Sequence, residues 1–393
     1  MRRLHFALLF LVLVLAAQPL VAVTYYVTHQ PTLLCTSSKS PYSIFITIQE
    51  AVTQVPAGST INVCPGTYPE QVVISQPVTL RGVSYGGQSQ VVIAMPSTPL
   101  AQTSSIYFSS VSSVAAQVQV TAGPVNISNI TVDGTAESSN CPSDSYYFGI
   151  FYSSGSSGTV DEVEARNQNC NPLGVGIGAE NGSGATESVT IENSNTNAAS
   201  TIGIYACSEE SPSTLSASIK SNNITGSEYG ILLPCPGVTG SISGNVINAV
   251  ENSVGVSTSS PATVSGNTVI GPANGVGISA NAAPDILDNT IQGAAWGVYL
   301  YAAGTITSNH ILNSVGYGVF FGSSVTGATV KSNTITNNTI TGDPIGIELY
   351  CNANTVSGNT INSVTTGLGA VPASFTGVKK FYNVGSNTTG GGC

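Results

Sequence analysis

The sequence predicts an all-β protein that folds as a right-handed parallel β-helix, a solenoid with a short N-terminal capping helix. A Gly followed by Ile, Val or Leu recurs at intervals of about 20 to 28 residues. A second series, apolar-x-x-Asn-x-apolar, interleaves with the first at similar intervals. Repeats of this length, built from short β segments without helical periodicity, are typical of solenoids whose strands stack about 4.8 Å apart. We expect roughly a dozen coils on this period.

The first residues have the pattern of an export signal. Arg2 and Arg3 precede an apolar run from Phe6 to Ala17, and Ala22 is a suitable cleavage point. We therefore expect residues 1–22 to be a signal peptide, with an uncleaved anchor as the alternative, although the run is short for a membrane span. The mature protein is expected to be secreted, extracellular or periplasmic, with no stable membrane insertion after cleavage.

Residues 23–60 are predicted to form an N-terminal strand and a helical cap. Ile48, Ala51, Val52 and Val55 recur at the spacing of one face of a helix. A helix in this place would cover the open end of the solenoid, where unpaired strand edges otherwise promote aggregation.

Residues 61–368 are predicted to form the β-helix itself, and residues 369–393 to form a C-terminal cap or tail. The Asn of the second series are best explained as structural, because stacked Asn side chains satisfy one another's amides from coil to coil. At such a turn Asn can also tolerate a left-handed backbone. The series comprises Asn222, Asn245, Asn267, Asn289, Asn309, Asn333 and Asn359.

The charge balance excludes one class of partner. The chain has 9 Lys and Arg against 19 Asp and Glu, with a net charge of −10 at pH 7. So few basic residues cannot neutralise many phosphates, so nucleic acid is not expected as a partner.

The cysteines suggest disulfides in an oxidising compartment, because their number is even and they follow an export signal. Three spacings match one coil, which predicts the pairs Cys35–Cys64, Cys141–Cys170 and Cys207–Cys235 on neighbouring coils. The remaining pair, Cys351–Cys393, would then hold the C-terminal segment. No CxxC spacing supports a metal–thiolate site.

One N-terminal run resembles the opening of pectin-lyase-like β-helix proteins, a group that includes pectin methylesterases and NosD-type periplasmic proteins. It contains Pro56-Ala-Gly58, Pro65-Gly-Thr-Tyr68 and Leu80-Arg-Gly82. The later Asn and Gly repeats are similar to the generic repeats of the same superfamily. The resemblance implies the fold but not one function, because this fold carries lyases, hydrolases, esterases, epimerases and binding proteins.

The enzyme motifs of this superfamily are largely missing. Gly158-Thr-Val-Asp161 matches the nucleophile motif of pectin methylesterases, but the general-acid and Arg motifs are missing from the sequence. The densest charge cluster contains Asp161, Glu164 and Arg166, which are the weak candidates for a catalytic site. An esterase or lyase of diverged type is therefore the alternative function, and local ion pairs at a strand edge are the structural interpretation.

A binding surface is predicted two residues after each repeat Gly, where side chains should point to solvent. Its candidate ligand-binding residues are Tyr205, Tyr299, Phe320 and Glu348. Aromatic rings stacked along a solenoid can pack on the apolar faces of sugars, although a loop or tail could instead cover this stripe.

The leading hypothesis is thus a non-catalytic protein that binds polysaccharide or cell-surface glycan, and a structural or adhesive role is the third possibility.

His29 and His310 lie far apart in sequence and lack a metal-ligand spacing, so no metal or other cofactor is expected.

Overall fold

A computed structural model describes residues 24–29, 35, 44–87, 89–105, 113–135, 146–169, 174–208, 212–271, 273–336, 345–348, 354–369 and 381–386. The predicted signal peptide, residues 1–22, lies outside the described residues. Among the described residues, no helix is long and apolar enough to cross a membrane.

The described elements are short strands and one helix. In chain order they are β1 (Thr24–Val27), β2 (Ile44–Phe45), α1 (Ile48–Gln54), β3 (Ser59–Val63), β4 (Gly66–Pro69), β5 (Val72–Ile74), β6 (Val78–Gly82), β7 (Val91–Ala94), β8 (Gln102–Thr103), β9 (Val114–Val120), β10 (Val125–Ser128), β11 (Thr131–Asp133), β12 (Tyr146–Tyr152), β13 (Gly158–Asp161), β14 (Glu164–Arg166), β15 (Gly174–Asn181), β16 (Thr186–Glu192), β17 (Asn195–Asn197), β18 (Ile202–Ser208), β19 (Thr214–Lys220), β20 (Asn223–Thr225), β21 (Tyr229–Leu233), β22 (Val238–Ser243), β23 (Val246–Asn248), β24 (Val254–Thr258), β25 (Thr263–Ser265), β26 (Thr268–Ile270), β27 (Val276–Ala280), β28 (Asp285–Leu287), β29 (Thr290–Gln292), β30 (Trp296–Leu300), β31 (Thr305–Thr307), β32 (His310–Leu312), β33 (Tyr317–Phe321), β34 (Thr329–Lys331), β35 (Thr334–Thr336), β36 (Ile345–Glu348), β37 (Thr355–Ser357), β38 (Thr360–Gly369) and β39 (Phe381–Ser386).

These strands form three stacks, and each full coil contributes one strand to each stack. The first stack is a sheet in the order β2-β1-β3-β6-β10-β13-β16-β19-β22-β25-β28-β31-β34-β37. The second runs from β4 through β7, β11 and β14 to β35, and the third runs from β5 through β9, β12 and β15 to β36. The long strand β38 pairs with both β35 and β36 and so joins the second and third stacks. Pairing is parallel along all three stacks, and the only antiparallel ladder among the described strands joins β8 to β9.

This arrangement is the predicted right-handed parallel β-helix, and it confirms the fold class. A right-handed path is the one by which successive parallel strands normally connect. In the segment predicted as a C-terminal cap or tail, β39 adds a further parallel strand to β38.

The core runs along the axis of the solenoid and is built from the inward side chains of all three stacks. One coil shows the pattern, because Ile242 of β22, Ile247 of β23 and Val256 of β24 are all fully buried. Each of these side chains lies below its equivalent in the previous coil. Alternation along each short strand therefore produces one continuous apolar column.

The predicted capping helix is present as α1, which buries Ile48, Ala51 and Val52. Thr47 is its N-cap, and its side chain accepts a hydrogen bond from the Glu50 amide at 3.1 Å. The Glu70 carboxylate accepts two more, from the Ile48 and Gln49 amides at 2.9 and 2.8 Å. These bonds satisfy amides that have no partner within the helix, so the cap is fixed to the first full coil.

The asparagine series forms the predicted ladder at the turn between the first and second stacks. Each Asn Nδ2 donates to the Oδ1 of the next Asn at 2.9 to 3.0 Å, from Asn222 down to Asn359. The left-handed backbone, however, falls one residue earlier than predicted, for example at Ser221 (φ 57°) and Asp288 (φ 53°). The ladder Asn must keep its amide directed along the axis to reach the next coil, so the preceding residue makes the sharp turn.

Two predicted disulfides are confirmed. Cys35–Cys64 and Cys207–Cys235 each link neighbouring coils, with Cα–Cα distances of 5.4 and 5.0 Å. The predicted pairs Cys141–Cys170 and Cys351–Cys393 lie outside the described residues.

Candidate functional site

The outward side of the third stack carries the predicted column of side chains. Phe151, Gly178, Tyr205 and Leu232 stand in register, and the column continues through Ser257, Ser279, Tyr299, Phe320, Glu348 and Gly369. The sequence therefore placed these residues on one line correctly. Their exposure differs along that line.

The first part of the column is buried, so the expectation that Tyr205 faces solvent is wrong. The Tyr205 side chain is fully buried and packs near Phe148, with ring centroids 6.0 Å apart. Its hydroxyl donates to Glu180 Oε1 at 2.8 Å, and the Ser105 hydroxyl donates to the same oxygen at 2.5 Å. Ser105 is 75 residues from Glu180 in sequence, so chain from an earlier coil lies over this part of the face.

Glu348 is also buried rather than exposed, with 8% of its surface accessible. Its carboxylate lies directly against Gly369 of the next coil, where even a Cβ would clash with Oε2. A ligand role therefore stays a prediction only for Tyr299 and Phe320, which are half-buried.

The middle and lower parts of the same side form what we call the aromatic face. It consists of two outward columns, Tyr229, Val254, Val276, Trp296 and Tyr317, and Leu232, Ser257, Ser279, Tyr299 and Phe320. All ten side chains are half-buried.

Aromatic rings are concentrated at the lower end of this face. Tyr299 stacks on Tyr301 with ring centroids 4.1 Å apart and an interplanar angle of 21°. The Phe320 ring meets Tyr299 edge to face at 4.8 Å, and it meets Tyr317 at the same distance. Trp296 lies 6.4 Å from Tyr299. Two consecutive coils therefore present five contiguous rings. Four of them belong to the two columns, and Tyr301, which directly follows β30 and is 49% exposed, extends the aromatic face.

Sequence reasoning missed Trp296, Tyr317 and Tyr229 as members of this surface. The signal was visible, because each of them directly precedes a repeat Gly. In these strands the residue before the repeat Gly and the residue two after it are both half-buried and face outward, whereas the Gly and the residue after it are buried. In the third stack the outward residues are thus three apart, not two.

A groove of about 360 Å³ opens at the upper end of the aromatic face. Tyr146, Tyr229 and Leu232 form apolar parts of its wall, and Ser257 and Asn281 supply polar groups. This surface therefore combines apolar rings with neutral hydrogen-bonding groups.

The predicted charge cluster lies elsewhere and is only partly assembled. Glu164 and Arg166 lie together on β14 of the second stack, where Arg166 Nη1 is 3.2 Å from Glu164 Oε2. Arg166 Nε also donates to Asp133 Oδ2 of the previous coil at 2.9 Å. Asp161 instead belongs to β13 of the first stack and accepts a hydrogen bond from Asn193 Nδ2 at 2.9 Å.

Asp133, which the sequence did not reveal, is the centre of that cluster. Desolvation by burial acts to raise its pKa, but hydrogen bonds from Thr135, Asn167 and Arg166 outweigh it and lower the pKa to about 2. A carboxyl held ionised and fully bonded stabilises the strand edge and does not act as a general acid near neutral pH. This geometry matches the structural interpretation of the cluster.

Most of the chain matches the model of one protein family. A family model described as "Periplasmic copper-binding protein (NosD)" matches residues 103–333 and 240–383. The chain belongs to the NosD family. Its location is accordingly extracytoplasmic, as the export signal and the disulfides predicted.

Solved structures share the fold of this NosD-family chain at low sequence identity. One is a Family 28 exopolygalacturonase of Yersinia enterocolitica, with 12% identity and a TM-score of 0.52. The match covers 87% of this chain and 75% of the exopolygalacturonase chain. Another is the catalytic unit of a GH87 α-1,3-glucanase from Streptomyces thermodiastaticus, with 15% identity and a TM-score of 0.51. The match covers 96% of this chain and 70% of the glucanase chain. The chain spans 63% of the Dettilon tailspike protein, at 14% identity, 88% coverage of this chain and a TM-score of 0.45. No curated protein sequence matches the chain.

Copper, which the family description implies, does not fit the described donors. Cys35, Cys64, Cys207 and Cys235 are all in disulfides, and no group of three or more His, Cys, Asp or Glu in the described ranges could hold a metal ion. His29 stacks on the Tyr68 ring at 4.3 Å, while His310 lies on the second stack between two Thr. The Met95 sulfur accepts a hydrogen bond from Tyr147 at 3.4 Å.

Proposed function

We propose that this NosD-family protein binds a polysaccharide or cell-surface glycan along the aromatic face, without catalysis. The observation that carries the proposal is the contiguous set of five rings on two coils, Trp296, Tyr299, Tyr301, Tyr317 and Phe320. Exposed contiguous apolar surface usually marks an interaction site.

The face suits a linear ligand. Its residues are spaced by one coil, about 4.8 Å, along a straight axis, so a chain of linked sugars can contact several coils at once. Sugar rings have an apolar face and a polar rim, and aromatic side chains pack on the former. Ser257, Ser279 and Asn281 offer hydrogen bonds to the latter. The fold is also shared with a polygalacturonase and a glucanase, which makes a glycan partner reasonable.

The proposal is tested by retention of the purified mature protein on a panel of immobilised plant and microbial polysaccharides. Trp296→Ala and Tyr299→Ala should each weaken retention about 30-fold or more, because truncating a central aromatic contact removes about 2 kcal/mol or more. Tyr85→Ala is the matched control, since Tyr85 is 43% exposed but lies outside the face. Equal retention of all three variants and the unmodified protein would contradict the proposal.

The alternative function, an esterase or lyase of diverged type, is tested on the same polysaccharide samples. It is favoured by a second cavity of about 530 Å³ on another side of the solenoid, lined by Glu162, Glu164 and Asn193 among others. If this alternative holds, mass spectrometry of the polysaccharides will detect new fragments or lost ester groups. Unchanged polymers would instead support binding without catalysis.

A further inference from the structure

We propose that the ligand of the aromatic face is an uncharged glycan and not a polyuronate. This inference rests on the proposed function and specifies its ligand. It comes from the distribution of charge over the described residues, which differs sharply between the three stacks.

Basic side chains in the described part of the chain all lie on the first and second stacks. Arg81, Lys220 and Lys331 belong to β6, β19 and β34 of the first stack, and Arg166 belongs to β14 of the second. Two of the four are already engaged, because Lys220 Nζ is 2.8 Å from Glu192 and Arg166 bonds Asp133 and Glu164. The strands of the aromatic face, β21, β24, β27, β30 and β33, contain neither Lys nor Arg.

Among the described residues, the charged side chains that border the aromatic face are acidic. Glu228 directly precedes β21 and is exposed. Glu251, three residues before β24, is exposed as well and accepts a hydrogen bond from Asn274 at 2.7 Å.

A polyuronate carries one carboxylate on each sugar, so binding here would place a row of negative charges beside these Glu, with no basic partner among the residues that the structure describes. Like-charge juxtaposition is unfavourable, and a carboxylate pressed onto apolar rings also loses hydration there. An uncharged glycan avoids both costs and keeps the contacts to rings, hydroxyls and amides.

The test compares uncharged probes (β-glucan, mannan and chitin oligosaccharides) with polygalacturonate and alginate at low ionic strength. Polygalacturonate is also offered as its full methyl ester, which has the same backbone without the charge. We expect retention on at least one uncharged probe, retention at least about tenfold weaker on both polyuronates, and a loss of the uncharged retention in Trp296→Ala.

The outcomes separate the two proposals. Retention of polygalacturonate or alginate that equals or exceeds every uncharged probe, and that falls in Trp296→Ala, would overturn the uncharged ligand while leaving glycan binding at the aromatic face intact. Retention on no probe, or retention that Trp296→Ala leaves unchanged, would overturn the proposed function and this inference with it.

A charge reversal gives an independent measurement. Glu228→Lys with Glu251→Lys places two cations at the border of the aromatic face, and polygalacturonate retention should rise about tenfold in low salt and fall again as salt is added. Glu50→Lys with Asp285→Lys is the matched control, because it makes the same change in net charge at exposed positions on α1 and on the first stack. Equal gains in both variants would show that net charge alone sets polyuronate retention, and would count against a ligand selected at this face.

Discussion

At the scale of single residues, the ladder asparagines differ from their exposed neighbours in what they bond. Asn222 Oδ1 accepts the Ser194 amide at 3.0 Å, while its Nδ2 donates to the Ile191 carbonyl at 2.9 Å and to Asn245 Oδ1 at 3.0 Å. One side chain therefore satisfies backbone groups of the preceding coil and a side chain of the next. The adjacent Asn223 points outward and is exposed.

Replacement of Asn222 by Ala should lower the free energy of unfolding by about 2–4 kcal/mol, because buried polar groups at Ser194 and Ile191 lose their partners. Asn223→Ala should change it by no more than about 0.5 kcal/mol, as is usual for exposed positions. Urea denaturation followed by circular dichroism measures both. If the two variants unfolded at the same urea concentration, the ladder would not carry the stability assigned to it.

At the scale of the strand, the repeat glycines set how closely successive coils approach. A Cβ built on Gly297 of β30 would lie 2.5 Å from the Gly318 carbonyl oxygen and 2.5 Å from Ile311 Cγ2. The equivalent glycines before and after it face their next coil in the same way. At this position the third stack therefore packs against the second-stack strand of the next coil, and no space is left for a side chain.

Gly297→Ala should destabilise the protein by about 1–3 kcal/mol, the usual cost of adding a methyl group to a packed interior. Gly322 provides the control, since a Cβ there would meet the Leu300 carbonyl at 3.5 Å, an ordinary contact. Thermal unfolding of both Ala variants would distinguish them. A Gly297→Ala protein as stable as Gly322→Ala would mean that the strands can separate without cost.

The elements also show which parts of the structure a sequence pattern can predict. The repeat period and the Asn ladder depend on residues one coil apart, and strand alternation and the helical spacing of α1 depend on near neighbours in the sequence. The sequence alone therefore predicted the fold, the capping helix and the column that contains Tyr299 and Phe320. The burial of Tyr205 depends on Ser105, which precedes the regular repeats, and on a contact with Glu180 of β15 that the repeat pattern does not encode. Asp133 was missed for a similar reason, because its bond to Arg166 spans 33 residues in a part of the chain where the period is irregular.

At the scale of the whole molecule, a solenoid is a one-dimensional array in which each coil contacts mainly its neighbours. Cys207–Cys235 closes a loop of 28 residues between neighbouring coils on the third stack, and Cys35–Cys64 closes one of 29 residues beside the N-terminal cap. The two links have nearly equal loop lengths at different heights along the axis. Their effects on the unfolded chain should therefore be similar, while their effects on local opening should not.

The double variant Cys207→Ser/Cys235→Ser should lose about 3–4 kcal/mol of stability through the greater freedom of its unfolded chain. In a chain of nearest-neighbour coils, this loss should accelerate amide hydrogen exchange in β18 and β21 more than in β30 and β33. Cys35→Ser/Cys64→Ser should instead accelerate exchange in β1 and β3. Hydrogen exchange measured by mass spectrometry resolves these segments in one experiment. Acceleration that was equal in all coils for both variants would mean that the solenoid opens as one cooperative unit, and the aromatic face would then depend on a disulfide several coils away.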